Sequence, residues 1–192
     1  MDANQTTTDD SKQNNRVCPH TIAFFLNNPL RRIIQNPRKI VGPYIKPGDT
    51  VIDLGCGPGF FTIDMAQIVG ATGQVIAVDL QPQMLTHVNR KALKKGVSDR
   101  ITLHRCGPDS LELTAKADFI LAFYMVHETP DPANFLNEVR ALLKEGGLFL
   151  VIEPRFHVKG PEFEAMVNLA SQTGFEIVDR PRKKGGHSAL LS

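Results

Sequence analysis

No stretch of the 192-residue chain approaches the roughly 18 consecutive apolar residues that mark a membrane-spanning helix, so no span is predicted. Cysteine is scarce: Cys18, Cys56 and Cys106 are odd in number and far apart, which suggests neither a disulfide framework nor a metal knuckle and points to a reducing compartment. Acids and bases nearly cancel at a formal net charge of +2, too little to predict a nucleic-acid or membrane partner. The first 16 residues, MDANQTTTDDSKQNNR, lack the basic-then-apolar order of a secretory signal and read as a disordered tail, so a cytoplasmic protein is expected. There is no internal repeat, and no metal site is predicted.

What is present fits one domain with a sizeable core. From Cys18 to Tyr44, prolines at 29, 37 and 43 cut a mixed segment into short helical pieces. Residues 17–48 are therefore expected to form an N-terminal helical lid, with His20, Phe24, Phe25 and Tyr44 near the cleft. Arg31 and Arg32 either attract an anionic substrate or form a solvated face.

From residue 49 to 192 strand-like and helix-like stretches alternate. The strand candidates are TVIDL, QVIAVDL, RITLHR, ADFILAF and GLFLVIE, followed by FEIVDRP and HSALLS. The helices between them carry apolar faces such as Leu85, Val88 and Ala92, or Phe135, Val139 and Leu142. Near-continuous apolar strands separated by helices predict an α/β fold of three layers, built on a mostly parallel, seven-stranded sheet. The short basic turn RKKGG cannot carry a crossover, so the last strand is expected to run antiparallel.

Ligands of such sheets bind beyond the carboxyl ends of the strands, where VIDLGCGPGFF lies. Glycines 55, 57 and 59 permit a tight turn and close approach of a ligand. The loop has no terminal lysine followed by serine or threonine, so an NTPase phosphate loop is excluded. A dinucleotide fingerprint wants glycine where Phe60 stands, and the Phe60 side chain is expected to obstruct a pyrophosphate. Asp53 adds a negative charge, which suits a neutral or cationic ligand. About twenty residues on, Asp79 ends the second strand, where an acid can accept two ribose hydroxyls.

VIDLGCGPGFF, VIAVDLQPQML, ADFILAFYMVHE and EGGLFLVIEP together resemble the signature regions of class I S-adenosylmethionine-dependent methyltransferases, particularly the small-molecule group related to quinone-biosynthesis methyltransferases. The resemblance runs from about Lys46 to the C-terminus and implies S-adenosylmethionine as cofactor and a Rossmann-like fold with an antiparallel last strand. It places the methionine portion along the backbone of Gly55 and Gly57, with Asp53 near the amino group, and counts Cys56, Gly59 and Phe60 among the cofactor-binding residues. Asp79 then takes the ribose hydroxyls, Leu80 and Met84 pack beside the adenine, and the loop after the third strand covers its other edge through Cys106, Gly107 or Asp109. Phe123 lies near the sulfonium and the substrate. The segment CGPDS departs from the family's frequent glycine-aspartate step.

On the acceptor side, FYMVHETPD presents Tyr124, His127 and Glu128 as catalytic candidates. His127 either removes a proton from an oxygen, carbon or thiol nucleophile, or satisfies backbone groups or Glu128 in a structural turn. The stretch lacks the Asn/Asp-Pro-Pro-Tyr pattern of methyltransferases acting on planar or amide nitrogen. The expected function is methyl transfer to an oxygen, carbon or sulfur nucleophile of a small molecule. An RNA methyltransferase, a nicotinamide-dependent oxidoreductase and a non-catalytic cofactor-binding protein remain as alternatives. The sequence leaves the oligomeric state open.

Overall fold

The computed structural model describes residues 35–192. The expected tail, together with Cys18, His20, Phe24, Phe25, Arg31 and Arg32 of the expected lid, lies outside the described residues. Seven strands form one sheet: β1 (Thr50–Leu54), β2 (Gln74–Asp79), β3 (Ile101–Arg105), β4 (Ala117–Phe123), β5 (Leu143–Pro154), β6 (Ile177–Asp179) and β7 (Gly186–Leu191). Among the described residues five α-helices accompany them: α1 (Pro37–Val41), α2 (Thr62–Val69), α3 (Pro82–Lys95), α4 (Pro132–Leu142) and α5 (Gly160–Gln172). The order across the sheet is β3-β2-β1-β4-β5-β7-β6. Pairing is parallel from β3 through β5, and β7 runs antiparallel to both β5 and β6. The expected topology, a mostly parallel sheet with a reversed last strand, is the one observed.

Strand periodicity sorts the core into two layers. Ile52 and Leu54 of β1, Ile120 and Ala122 of β4, and Phe149 and Val151 of β5 face one side, where Phe135 and Val139 of α4 and Phe163 and Val167 of α5 cover them. The alternate residues Val51, Phe119, Leu121, Leu150 and Ile152 meet Ile63, Ala66 and Val69 of α2 on the other. Every strand residue named here is buried, so a one-residue register slip would exchange the two layers' contents.

The helix ends follow local chemistry. Asp131 accepts the Asn134 amide at 2.9 Å and caps α4, with Pro132 in the first turn. Gly96 closes α3 in the left-handed conformation, φ 64°, where the last turn carries Lys94 and Lys95.

One sequence expectation is met and two change. Pro37 opens the five-residue α1 and Pro43 the short 3-10 turn Gly42–Tyr44 that follows, so these prolines do divide the segment into short helical pieces, the missing amide costing nothing at a first turn. Ile40, Val41 and Ile45 are buried in the α2-side layer, so the described part of residues 17–48 belongs to the core. Tyr44 stacks on Phe119 with ring centroids 5.9 Å apart, and Lys183 lies 5.2 Å over its ring. It lines a pocket of about 360 Å³ with Asp49, Asp118 and Gly147 at the amino ends of the strands, away from the cleft it was expected to border.

Candidate active site

The strand order reverses between β1 and β4, which opens the crevice where ligands of parallel sheets sit. The β1–α2 loop and the segment after β4 meet across this crevice. A Cβ added to Gly55 would lie 3.0 Å from the Met125 side chain, and Gly55 itself has φ 62°. Gly57, at φ 51°, has nothing within 4 Å of an added Cβ, so its backbone borders open space. Both positions require the conformational freedom of glycine. Gly59 faces a different neighbour: its added Cβ would meet Val88 of α3 at 3.1 Å, a helix-packing constraint.

Two buried acids organise this half. The Asp53 carboxyl, 2% exposed, receives the Thr62 hydroxyl at 2.6 Å. Burial pushes its pKa up to about 7, with the charge of Asp79 adding to the rise and Thr62 opposing it. Asp79, 8% exposed, accepts the Gly57 amide on Oδ2 and the Gln81 amide on Oδ1, both at 2.9 Å. Burial again raises its pKa, against the pull of those two amides. Asp79 therefore grips the glycine loop as well as ending β2, a role the sequence did not disclose.

The surrounding positions fall as follows. Leu80 is half-buried after β2, and Met84 is buried in the first turn of α3. The Cys106 amide donates to the Asp79 carbonyl at 3.3 Å, and the Gly107 amide to Ser110 at 3.0 Å. Glu138 of α4 fixes that loop by accepting the Ser110 hydroxyl at 2.6 Å and the Leu111 amide at 3.0 Å. Cys56 is buried against Ala77, Leu85 and Val88. Burial raises both thiols, Cys56 strongly and Cys106 to about 11, so neither is a thiolate at neutral pH. Phe60 is buried in the α2-side layer and meets Phe61 edge-on at 5.1 Å. Its ring is core, which corrects its expected role as an obstruction to a pyrophosphate.

The other half of the crevice is built from side chains. Phe123 ends β4 and stacks on Tyr124 at 4.1 Å, and Phe61 touches it from behind at 4.6 Å. Tyr124 adopts φ 61°, uncommon for a residue with a side chain and characteristic of functional sites. Its hydroxyl accepts from Gln35 at 2.9 Å, and the 74% exposed Phe156 meets its ring edge-on at 6.4 Å. A short 3-10 turn, Val126–Glu128, then presents His127.

His127 bonds through Nδ1 to Glu153, a 2% exposed residue near the end of β5, whose other oxygen accepts the Val126 amide at 2.9 Å. The hydrogen-bonding partner of the histidine is thus Glu153, not the adjacent Glu128 weighed from the sequence. That bond raises the His127 pKa; burial opposes it, and the charges of Glu153 and Glu128 add to it. His157 stacks on the ring at 5.8 Å. Among the described residues no cluster of three or more His, Cys, Asp or Glu side chains is arranged to hold a metal ion. Nor is any helix among them long and apolar enough to cross a membrane.

A parallel sheet with a reversed last strand, a glycine loop at the switch point and an acid closing the next strand define a Rossmann-like nucleoside site. Comparison with known proteins makes the class specific. Residues 45–183 match the family described as methyltransferase domain, and the chain belongs to that family. The matched residues include all four of the signature regions quoted from the sequence. The demethylmenaquinone methyltransferase of Lactiplantibacillus plantarum is 32% identical over 104 residues, covering 54% of this chain and 44% of that protein. The ubiquinone/menaquinone biosynthesis C-methyltransferase UbiE of Erwinia tasmaniensis is 26% identical over 137 residues, covering 71% of this chain and 53% of that protein. The chain thus spans about half the length of these curated relatives. A SAM-dependent methyltransferase from Aquifex aeolicus shares the fold with a TM-score of 0.80 at 22% identity, over 91% of this chain and 98% of that one.

Proposed function

We propose that the chain binds S-adenosylmethionine across the ends of β1 and β2 and directs its methyl group to an oxygen, carbon or sulfur nucleophile of a small molecule. The observation that carries this reading is the Asp79 carboxylate, oriented by two amides beside the open face of Gly57. Each carboxylate oxygen has two lone pairs and gives one to an amide, which leaves one apiece for the two adjacent hydroxyls of a ribose. Asp53 fits the same ligand, because a carboxyl held near pKa 7 by burial gains most from an arriving ammonium or sulfonium charge. When bound, S-adenosylmethionine supplies an electrophilic methyl whose carbon–sulfur bond breaks as the bond to the acceptor forms, the electron pair staying on sulfur.

The chain's own residues divide the remaining work. Gly55, Cys56, Gly57 and Gly59 shape the backbone of the donor cradle, with the buried Phe60 supporting it from the core. Leu80, Met84, Cys106 and Gly107 border the adenine. Phe123 and Tyr124 form an aromatic wall that orients the acceptor, which converts the encounter into a near-unimolecular one. His127 accepts the proton from an oxygen, carbon or sulfur nucleophile, and Glu128 keeps the surrounding field negative as the ring becomes cationic.

Titration calorimetry with S-adenosylmethionine and S-adenosylhomocysteine tests the donor half; folded protein that binds neither defeats the assignment. Screening transfer of a labelled methyl group to catechols, quinone precursors, thiols and small acids then identifies the acceptor.

A further inference from the structure

We infer that Glu153 is a positioning residue: by bridging the Val126 amide and His127 Nδ1, its carboxylate keeps the ring proton on Nδ1 and leaves Nε2 as the atom that takes the acceptor's proton. The inference rests on the methyl-transfer reading for its purpose, but its physical content is independent of any ligand.

The geometry is over-determined in a way that a simple turn does not need. Glu153 is 2% exposed on a strand whose neighbours Ile152 and Pro154 are also buried. An acidic side chain there is costly unless its oxygens are used. One oxygen fixes the backbone of the 3-10 turn at Val126, and the other fixes the imidazole of the next residue. Position and ring orientation thus come from one buried group. His157 holds the ring plane from the loop after β5, with an interplanar angle of 17°. Nε2 has no hydrogen-bond partner among the described residues, and the His127 side chain is 27% exposed.

An oxygen that only accepts selects the tautomer protonated at Nδ1, which is the one with a lone pair on Nε2. The groups facing the ring are Glu153 from β5, His157 from the following loop and Glu128 from its own turn. Both carboxylates stabilise the imidazolium that forms when Nε2 takes a proton. A residue that merely tied down the turn would act through Val126 alone.

Glu153→Gln separates the two roles. Its amide oxygen still accepts from Val126, while its amide nitrogen can only donate to Nδ1 and so moves the ring proton to Nε2. Long-range proton–nitrogen correlation spectra of the imidazole report the tautomer, and their pH titration reports the ring pKa, without cofactor or acceptor. The expected result is a neutral His127 protonated at Nδ1 in the wild type and at Nε2 in the variant, with the titration midpoint moved to lower pH. Methyl transfer to the acceptor found by screening falls about 100-fold, and its acid limb moves down in pH with the midpoint. S-adenosylmethionine affinity is unchanged.

A wild-type ring protonated at Nε2 overturns the inference, as does a folded variant that keeps the Nδ1 tautomer. If Glu153→Gln does not fold, the wild-type spectrum alone decides. Failure of methyl transfer with every acceptor removes the catalytic reading yet leaves the tautomer measurement standing, so the two failures are distinguishable.

Discussion

The two halves of the crevice are made of different material. Beyond β1 and β2 the surface is mostly backbone, bent through Gly55, Gly57 and Gly59 and held by two buried acids. Beyond β4 and β5 it is side chain: the stacked Phe123 and Tyr124, the exposed Phe156 and the His127–Glu153 pair. A backbone surface suits a constant ligand, because its shape depends on a few glycines and carboxylates. A side-chain surface can change with each substitution and suits a ligand that differs between relatives. If that contrast is sound, substitutions in one half should leave the other's function intact.

The largest effect belongs to the acceptor half. His127→Gln removes the proposed proton acceptor and should lower kcat by roughly 10²- to 10⁴-fold, with S-adenosylmethionine affinity unchanged by calorimetry. An equal loss of cofactor binding would mean that the two halves are one site.

Next comes Asp53, in the donor half. Below its ordinary value of 3.8 the carboxyl is protonated both folded and unfolded, and burial exacts no ionisation penalty. Between 3.8 and about 7 the folded form keeps its proton while the unfolded chain loses it, so stability falls as pH rises. Above about 7 the penalty is complete, at most about 4 kcal/mol. Asp53→Asn should remove that slope and leave the protein more stable at pH 8, as measured by urea unfolding at pH 5 and pH 8. In the wild type a bound cation pulls the proton off, so S-adenosylmethionine affinity should rise toward pH 7; the Asn variant should bind more weakly and without this dependence.

Asp79→Ala removes the proposed ribose acceptor and releases the Gly57 and Gln81 amides together. Losing charge-assisted bonds of this kind costs about 3 kcal/mol, so the calorimetric Kd should rise about 100-fold. Thermal stability should also fall, because the loop loses its anchor. Asp79→Asn keeps one oxygen, so it should sit between Ala and wild type in both measurements.

The same contrast governs what could be read from the sequence. The geometry of the glycine-loop half was legible because its parts are local: an apolar strand, three glycines and an acid ending the next strand. The fold was legible because strand runs and helix faces repeat, and because the turn between the last two strands is too short for a crossover. Glu153 carried no such mark. In VIEP it follows an apolar run like any strand-end acid, and only the β4–β5 pairing, Phe123 beside Ile152, brings it to His127, 26 residues away. Glu138 was hidden for the same reason, being a polar position of a helix whose apolar face attracted the reading. Phe60 misled because sequence spacing gives a residue's place in a loop but not the side to which its ring turns.

The smallest expected effect tests whether Tyr124 works through its ring or its hydroxyl. Tyr124→Phe keeps the stack on Phe123 and the edge contact with Phe156, and gives up the bond from Gln35. One such bond is worth about 1 kcal/mol, so Tm should fall by about 2–4 °C with kcat and KM nearly unchanged. Tyr124→Gly is the opposite experiment: glycine accepts φ 61° without strain but removes the wall. KM for the acceptor should then rise, while S-adenosylmethionine affinity stays constant. A fall in kcat in the Phe variant that exceeds its loss of stability would transfer the role to the hydroxyl, and would place a second proton-handling group beside His127 in the acceptor half.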